Sequence, residues 1–165
     1  MKIRKKGLLY DIANMAYVIA DTGDADRHVL HQVRDICEEG NIDRVSRVLG
    51  LAYSQLLAVM IPVIESPRIS IHHDFSATPH DYEFRLRTDG AMKFFLTKER
   101  QLKIKETCHE YMVCMVLADW LGTVFPIAAD VWKFRMEGAL ESLKDLVNSL
   151  VTSSCASFKR RLSPF

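Results

Sequence analysis

Residues 108–120 read CHEYMVCMVLADW. The stretch holds two cysteines, a histidine, a glutamate and an aspartate, and from Tyr111 to Ala118 it is apolar without a break. At 100° per residue, those positions go all the way round a helix. A helix that is apolar on every side is buried on every side, or buried on one and docked to a partner on the other. The expected role is a central packing helix. Cys108 and Cys114 point in different directions on it, so they cannot ligate one ion. Glu106 and His109 have the Glu-x-x-His spacing of di-iron bundles, but such sites need a second pair and further inward glutamates. A surface pair at i, i+3 is the expectation.

Outward from this stretch, Thr97 is a suitable N-cap and Glu99 suits the positive end of the helix dipole. The helix is expected to run from 97 to about 121, closed by Gly122. Pro126 fits the first turn of the next helix, expected to end near 152–154. Within it Trp132, Met136, Ala139, Leu143, Leu146 and Leu150 alternate spacings of four and three, an a/d seam. Its flanks, Leu140, Val147 and Ser149, lack complementary charges, which favours a bundle helix over a free-standing coiled coil.

Upstream, Leu8, Ile12, Met15, Ala16 and Ile19 predict a helix over 7–20, broken by Asp21-Thr-Gly-Asp24. A second helix is predicted over 25–39, with Val29, Leu30, Val33, Ile36 and Cys37 on one face. Gly40 suits a left-handed C′ position and Asn41 an N-cap. The third helix carries Val45, Val48, Leu49, Ala52, Leu56, Val59 and Met60 inward and stops or kinks at Pro62. The period then changes to two. Ile69, Ile71 and Phe75 alternate with polar residues over 68–75, and Tyr82, Phe84 and Leu86 over 82–87, as in half-exposed strands. Asp89-Gly90 is a hairpin signal, so 92–96 is expected to return as a strand, with a helical reading of 91–97 as the alternative.

These elements make the fold class mainly α: a five-helix bundle with a small β-hairpin or meander inserted between helices 3 and 4. A single domain is expected over 1–155, with the insertion at about 68–97 and a flexible tail over 156–165. With 165 residues the chain can bury a sizeable core. A net charge of +1 makes no electrostatic case for nucleic acid or an anionic membrane. The apolar run LLAVMIPVI (56–64) is far shorter than the ~20 residues of a membrane helix. MKIRKKGLLY resembles a basic signal n-region, but Asp11 and Asn14 break the apolar run that a signal needs after it. Cys37, Cys108, Cys114 and Cys155 form no CxxC pair, and free thiols suit a reducing cytoplasm.

Two rows of side chains invite a metal. Asp24, His28, His31 and Asp35 lie within about 60° of arc on the second helix, and imidazoles with carboxylates could hold zinc or a two-metal centre. The row lies opposite Val29, Val33 and Ile36, however, and metal sites in bundles project into the core. Glu137, Glu141 and Asp145 form an acidic row opposite the Trp132–Leu150 seam. Acidic rows bind magnesium in nucleotide pyrophosphohydrolases, and the adjacent His-Asp pairs in HHDF (72–75) and PHDY (79–82) have the letters of HD-type hydrolases. A metal-dependent helical hydrolase is therefore the alternative function. No phosphate loop, nucleophile elbow or dinucleotide fingerprint occurs, and no cofactor is expected.

EYMVCMVLADWLG (110–122), followed by Pro126, Ala128, Ala129, Trp132 and EGALESL (137–143), resembles small helical proteins of unassigned function from bacterial prophages and mobile elements. The resemblance covers about half the chain and carries no catalytic motif. It implies an accessory or virion-assembly role. The leading expectation is a non-catalytic, cytoplasmic interaction protein. It would be a homo-oligomer, because the 108–120 helix and LLAVMIPVI promise more apolar surface than one chain can cover.

Overall fold

The helical spacings become inward faces. The computed structural model describes residues 1–65, 81–88, 90 and 92–162, with side chains described through 155. Helix α1 (Lys5–Thr22) buries Leu8, Ile12, Ala16 and Ala20. Helix α2 (Arg27–Arg34) is shorter than expected, because the chain tightens into a 3-10 turn over Asp35–Cys37. The Asn41 side chain stabilises that turn, donating Nδ2 to the Asp35 carbonyl at 2.8 Å. Asn41 therefore precedes α3 (Ile42–Met60) without capping it. Gly40 is not left-handed either, since among the described residues only Gly90 has positive φ.

Helix α3 buries Val45, Leu49, Ala52, Leu56 and Met60. Pro62 ends it in a 3-10 turn, Ile61–Val63, as a residue with no N–H should. By length and composition, Ile42–Val63 could cross a membrane. Here its buried stripe packs into the core, its opposite side is exposed at Leu51 and Ala58, and two polar side chains tie it to neighbouring elements. Arg44 donates from Nε and Nη2 to Asp119 Oδ2 at 3.1 and 2.9 Å, and its guanidinium lies over the Trp120 ring. Tyr53 donates its hydroxyl to the Glu83 carbonyl at 2.6 Å.

The period-two reading of 82–87 holds. Tyr82, Phe84 and Leu86 are buried, while Glu83, Arg85 and Arg87 are exposed. The pairing partner is not the expected hairpin strand. Strand β2 (Asp81–Glu83) pairs antiparallel with β1 (Lys2–Arg4), Ile3 opposite Tyr82. The chain then continues beside the segment after α3, through the Ile64–Leu86 bridge. Gly90 has a positive φ of 56°, the conformation a glycine takes in such a turn, while Asp89 lies outside the described residues. The chain does not return as a strand but takes the helical alternative, because Met92–Phe95 forms a helical turn, α4. Burial of Met92 and Leu96 at i, i+4, with Phe94 exposed, is a helical pattern that the short run concealed. The strand expected over 68–75 lies outside the described residues.

Helix α5 (Lys98–Val124) starts as expected, with Thr97 Oγ1 accepting from the Arg100 N–H at 3.3 Å. It runs through Gly122, which stays helical, and ends where the Phe125 N–H reaches the Leu121 carbonyl. Pro126 opens α6 (Pro126–Leu162), which passes the expected stop at 152–154 and carries helix into the segment expected to be a flexible tail. Ser154 is accommodated because its hydroxyl donates to the Val151 carbonyl within the helix. Gly122→Ala is expected to stabilise the chain by about 0.5–1 kcal/mol, the ordinary gain of alanine over glycine inside a helix. An added Cβ there meets no heavy atom within 4 Å. A lower melting temperature for the variant would return Gly122 to a left-handed cap.

Helix α5 is the axle of the fold. Helix α6 lies along it, and α3, α1, α2 and β1 take further sides. From Tyr111 to Ala118 every residue is buried except half-buried Met115. The surplus of apolar surface expected on this helix is thus absent: one chain covers it. On α6, Trp132, Ala139, Leu143 and Leu150 are buried and Met136 and Leu146 half-buried, so the seam faces inward. Val147, expected on the flank, joins it. Arg135 clamps the pair, stacking over Trp132 at 4.6 Å and donating to Glu110 on α5.

Candidate functional site

The row on α2 and its turn does not converge on a point. His31 Nδ1 meets Asp35 Oδ2 at 2.7 Å, while His28 Nε2 faces the Gln32 amide at 3.2 Å. Asp24, His28 and His31 are exposed, and Asp35 is half-buried. Glu137, Glu141 and Asp145 lie exposed on α6, and Glu141 accepts from Lys144. Among the described residues no three His, Cys, Asp or Glu side chains come together as a metal site would require. His72, His73, Asp74 and His80 lie outside the described residues. Asp81 is paired with Lys2 Nζ at 2.6 Å.

The thiols are separated, as the helix geometry requires. Cys108 Sγ lies 3.7 Å from Met60 Sδ in the core, and Cys114 Sγ donates to Glu110 Oε1 at 3.5 Å. Burial pushes the Cys108 thiol up to about 12. Burial, then the charge and hydrogen bond of Glu110, do the same for Cys114. Neither is a nucleophile near neutral pH. The folded chain holds these protons more tightly than the unfolded chain does. Their contribution to stability is complete below the unfolded thiol's range, near pH 8.5, and is lost as pH rises towards about 12. Tyr82, raised to about 12 by burial, acts in the same direction above its ordinary range. Unfolding free energy measured against pH should fall above about pH 9. The slope should ease by up to about 1.4 kcal/mol per pH unit in Cys108→Ala, which removes one such proton. An unchanged slope would mean that Cys108 is not held protonated.

His109 does not pair with Glu106. Its Nε2 reaches across to α1 and meets Asp11 Oδ2 at 2.7 Å. The ring lines a cleft together with Lys2, Ile3, Arg4, Gly7 and Lys105. Spacing along α5 could not find this pair, because Asp11 belongs to another helix. Among the described residues no buried side-chain nitrogen or oxygen lacks a hydrogen-bond partner. The described core therefore holds no unsatisfied polar group around which chemistry could be organised.

One surface feature is apolar and regular. Ile127, Val131 and Phe134 on α6 are 84%, 62% and 77% exposed. At i, i+4 and i+7 they form one stripe, set away from the seam that faces α5. The signal stood in the sequence but was hidden by the stronger periodicity of the Trp132–Leu150 seam. Beside the stripe, Asp130 Oδ1 accepts from Lys133 Nζ at 2.9 Å. No family model, curated protein or solved structure matches the chain.

Proposed function

We propose that this chain is a non-catalytic helical interaction protein that self-associates through the first turns of α6. The observation that carries the reading is the exposed stripe Ile127, Val131 and Phe134. The partner is a second copy. An antiparallel mate with its two-fold axis at Val131 sets Ile127 against Phe134 of the other copy, and Val131 against its own equivalent. The same axis brings Asp130 near Lys133 of the other copy, so the flank is charge-complementary to itself. Three side chains supply less than the ~800 Å² per partner of a tight complex, so the dimer is weak.

The resemblance of 110–122 and 137–143 supports a role in prophage or virion assembly, where weak contacts are multiplied by repetition. Buried, unpaired thiols support a cytoplasmic setting. Light scattering at micromolar and at near-millimolar concentration tests the self-association. The mass should rise from monomer to dimer, and a Val131→Asp, Phe134→Asp double variant should remain a folded monomer throughout. A parent chain that is monomeric at every concentration overturns the reading.

A further inference from the structure

The cleft beside His109 lies apart from the α6 stripe and asks for a different ligand. Its volume is about 480 Å³, within the ~300–1,000 Å³ of small-molecule sites. Lys2 and Arg4 sit on the exposed side of β1, with Ile3 buried between them. Lys105 and His109 come from α5, and Gly7 from the first turns of α1. The lining holds four basic side chains and no carboxylate.

Two of the four are already engaged by carboxylates: Lys2 Nζ pairs with Asp81 at 2.6 Å, and His109 Nε2 is hydrogen-bonded to Asp11 at 2.7 Å. These pairs fix the walls. Arg4 and Lys105 have no ion pair among the described residues, so they supply the uncompensated charge. A Cβ added at Gly7 would meet no heavy atom within 4 Å. The α1 backbone there borders open space.

The geometry points to an anion site: this cleft binds a small phosphate-bearing molecule, with the phosphate held by Arg4 and Lys105. Two cations match a dianion, and a guanidinium fork matches phosphate oxygens. An extended polyanion fits less well. The carboxylates of Asp11 and Asp81 stand at the rim, and the net charge of +1 gives no long-range attraction. The basic start of the chain, which resembled a targeting segment, thereby acquires a local use.

Calorimetric titration of the full chain with inorganic pyrophosphate at low ionic strength tests this. Saturable binding at one site is expected. Arg4→Ala and Lys105→Ala should each weaken it about tenfold, the loss of one charge-assisted contact. Gly7→Glu, which sets a carboxylate into the open cleft without a clash, should abolish it. Lys144→Ala, on α6, should leave it unchanged. Melting temperatures near the parent's show that the variants fold, since Arg4, Gly7 and Lys105 are all exposed. Absence of saturable binding by the parent overturns the proposal, as does equal affinity across the variants. A single-stranded oligonucleotide that binds more tightly with length and displaces pyrophosphate would also overturn it, by assigning the patch to nucleic acid.

Discussion

Phe84→Ala is expected to lower the unfolding free energy by about 3–5 kcal/mol, the range for emptying a buried aromatic site. Phe84 is fully buried. Its ring meets Tyr53 edge-on, with centroids 5.0 Å apart and planes at 70°, an arrangement worth about 0.5–1.5 kcal/mol beyond burial. The same tyrosine contacts Tyr82 at 5.2 Å. Removing Phe84 therefore loosens the contact between α3 and the β2 segment as well as leaving a cavity. Arg85→Ala, on the exposed side of the same segment, should change stability by less than about 0.5 kcal/mol. Denaturant midpoints for the two variants check both values. Similar losses at 84 and 85 would mean that the period-two burial of this segment is misread.

The second large effect belongs to Leu143. It is fully buried on the α6 seam, with α5 the element most extensively packed against its helix. Leu143→Ala should cost about 2–5 kcal/mol, set by how far α5 and α6 can close over the gap. The unfolding midpoint should fall with little change in denaturant slope, because the surface exposed on unfolding is nearly the same. A midpoint equal to the parent's would place Leu143 outside the core. The outward stripe supplies the contrast. Ile127→Ala should barely move the midpoint of the monomer, since that side chain is already mostly in water.

The helices were legible wherever a residue type has only one comfortable place. Thr97 before an amphipathic start, Pro62 after α3 and Pro126 ahead of α6 act through missing or satisfied N–H groups, and each does so here. Glycine was a poorer guide. Gly40 and Gly122 permit a left-handed cap without requiring one, and neither adopts it. Asn41 fell to a competing acceptor, the Asp35 carbonyl.

Strand β1 is only Lys2–Arg4, too short for a period to declare itself, and its partner is remote in sequence. The 92–96 run had too few residues to separate alternation from a helical turn. The sites were less legible than the fold for a related reason. Helical periodicity reports which residues share a face, and so it placed His31 with Asp35 within one segment. It carries no information on which helix stands opposite, and so the Asp11–His109 pair and the cleft beside it were out of reach.

The closure of β2 onto the start of the chain also orders events in time. Met1 and Phe84 are hydrogen-bonded across 83 positions, so β1 must find a strand partner that is remote along the chain. The α5–α6 hairpin has no such search, because its two arms follow one another directly across Phe125. Pairing Lys2–Arg4 with Asp81–Glu83 therefore closes a long loop, whereas joining α5 to α6 closes only a short one. Local pairings form early and remote ones late.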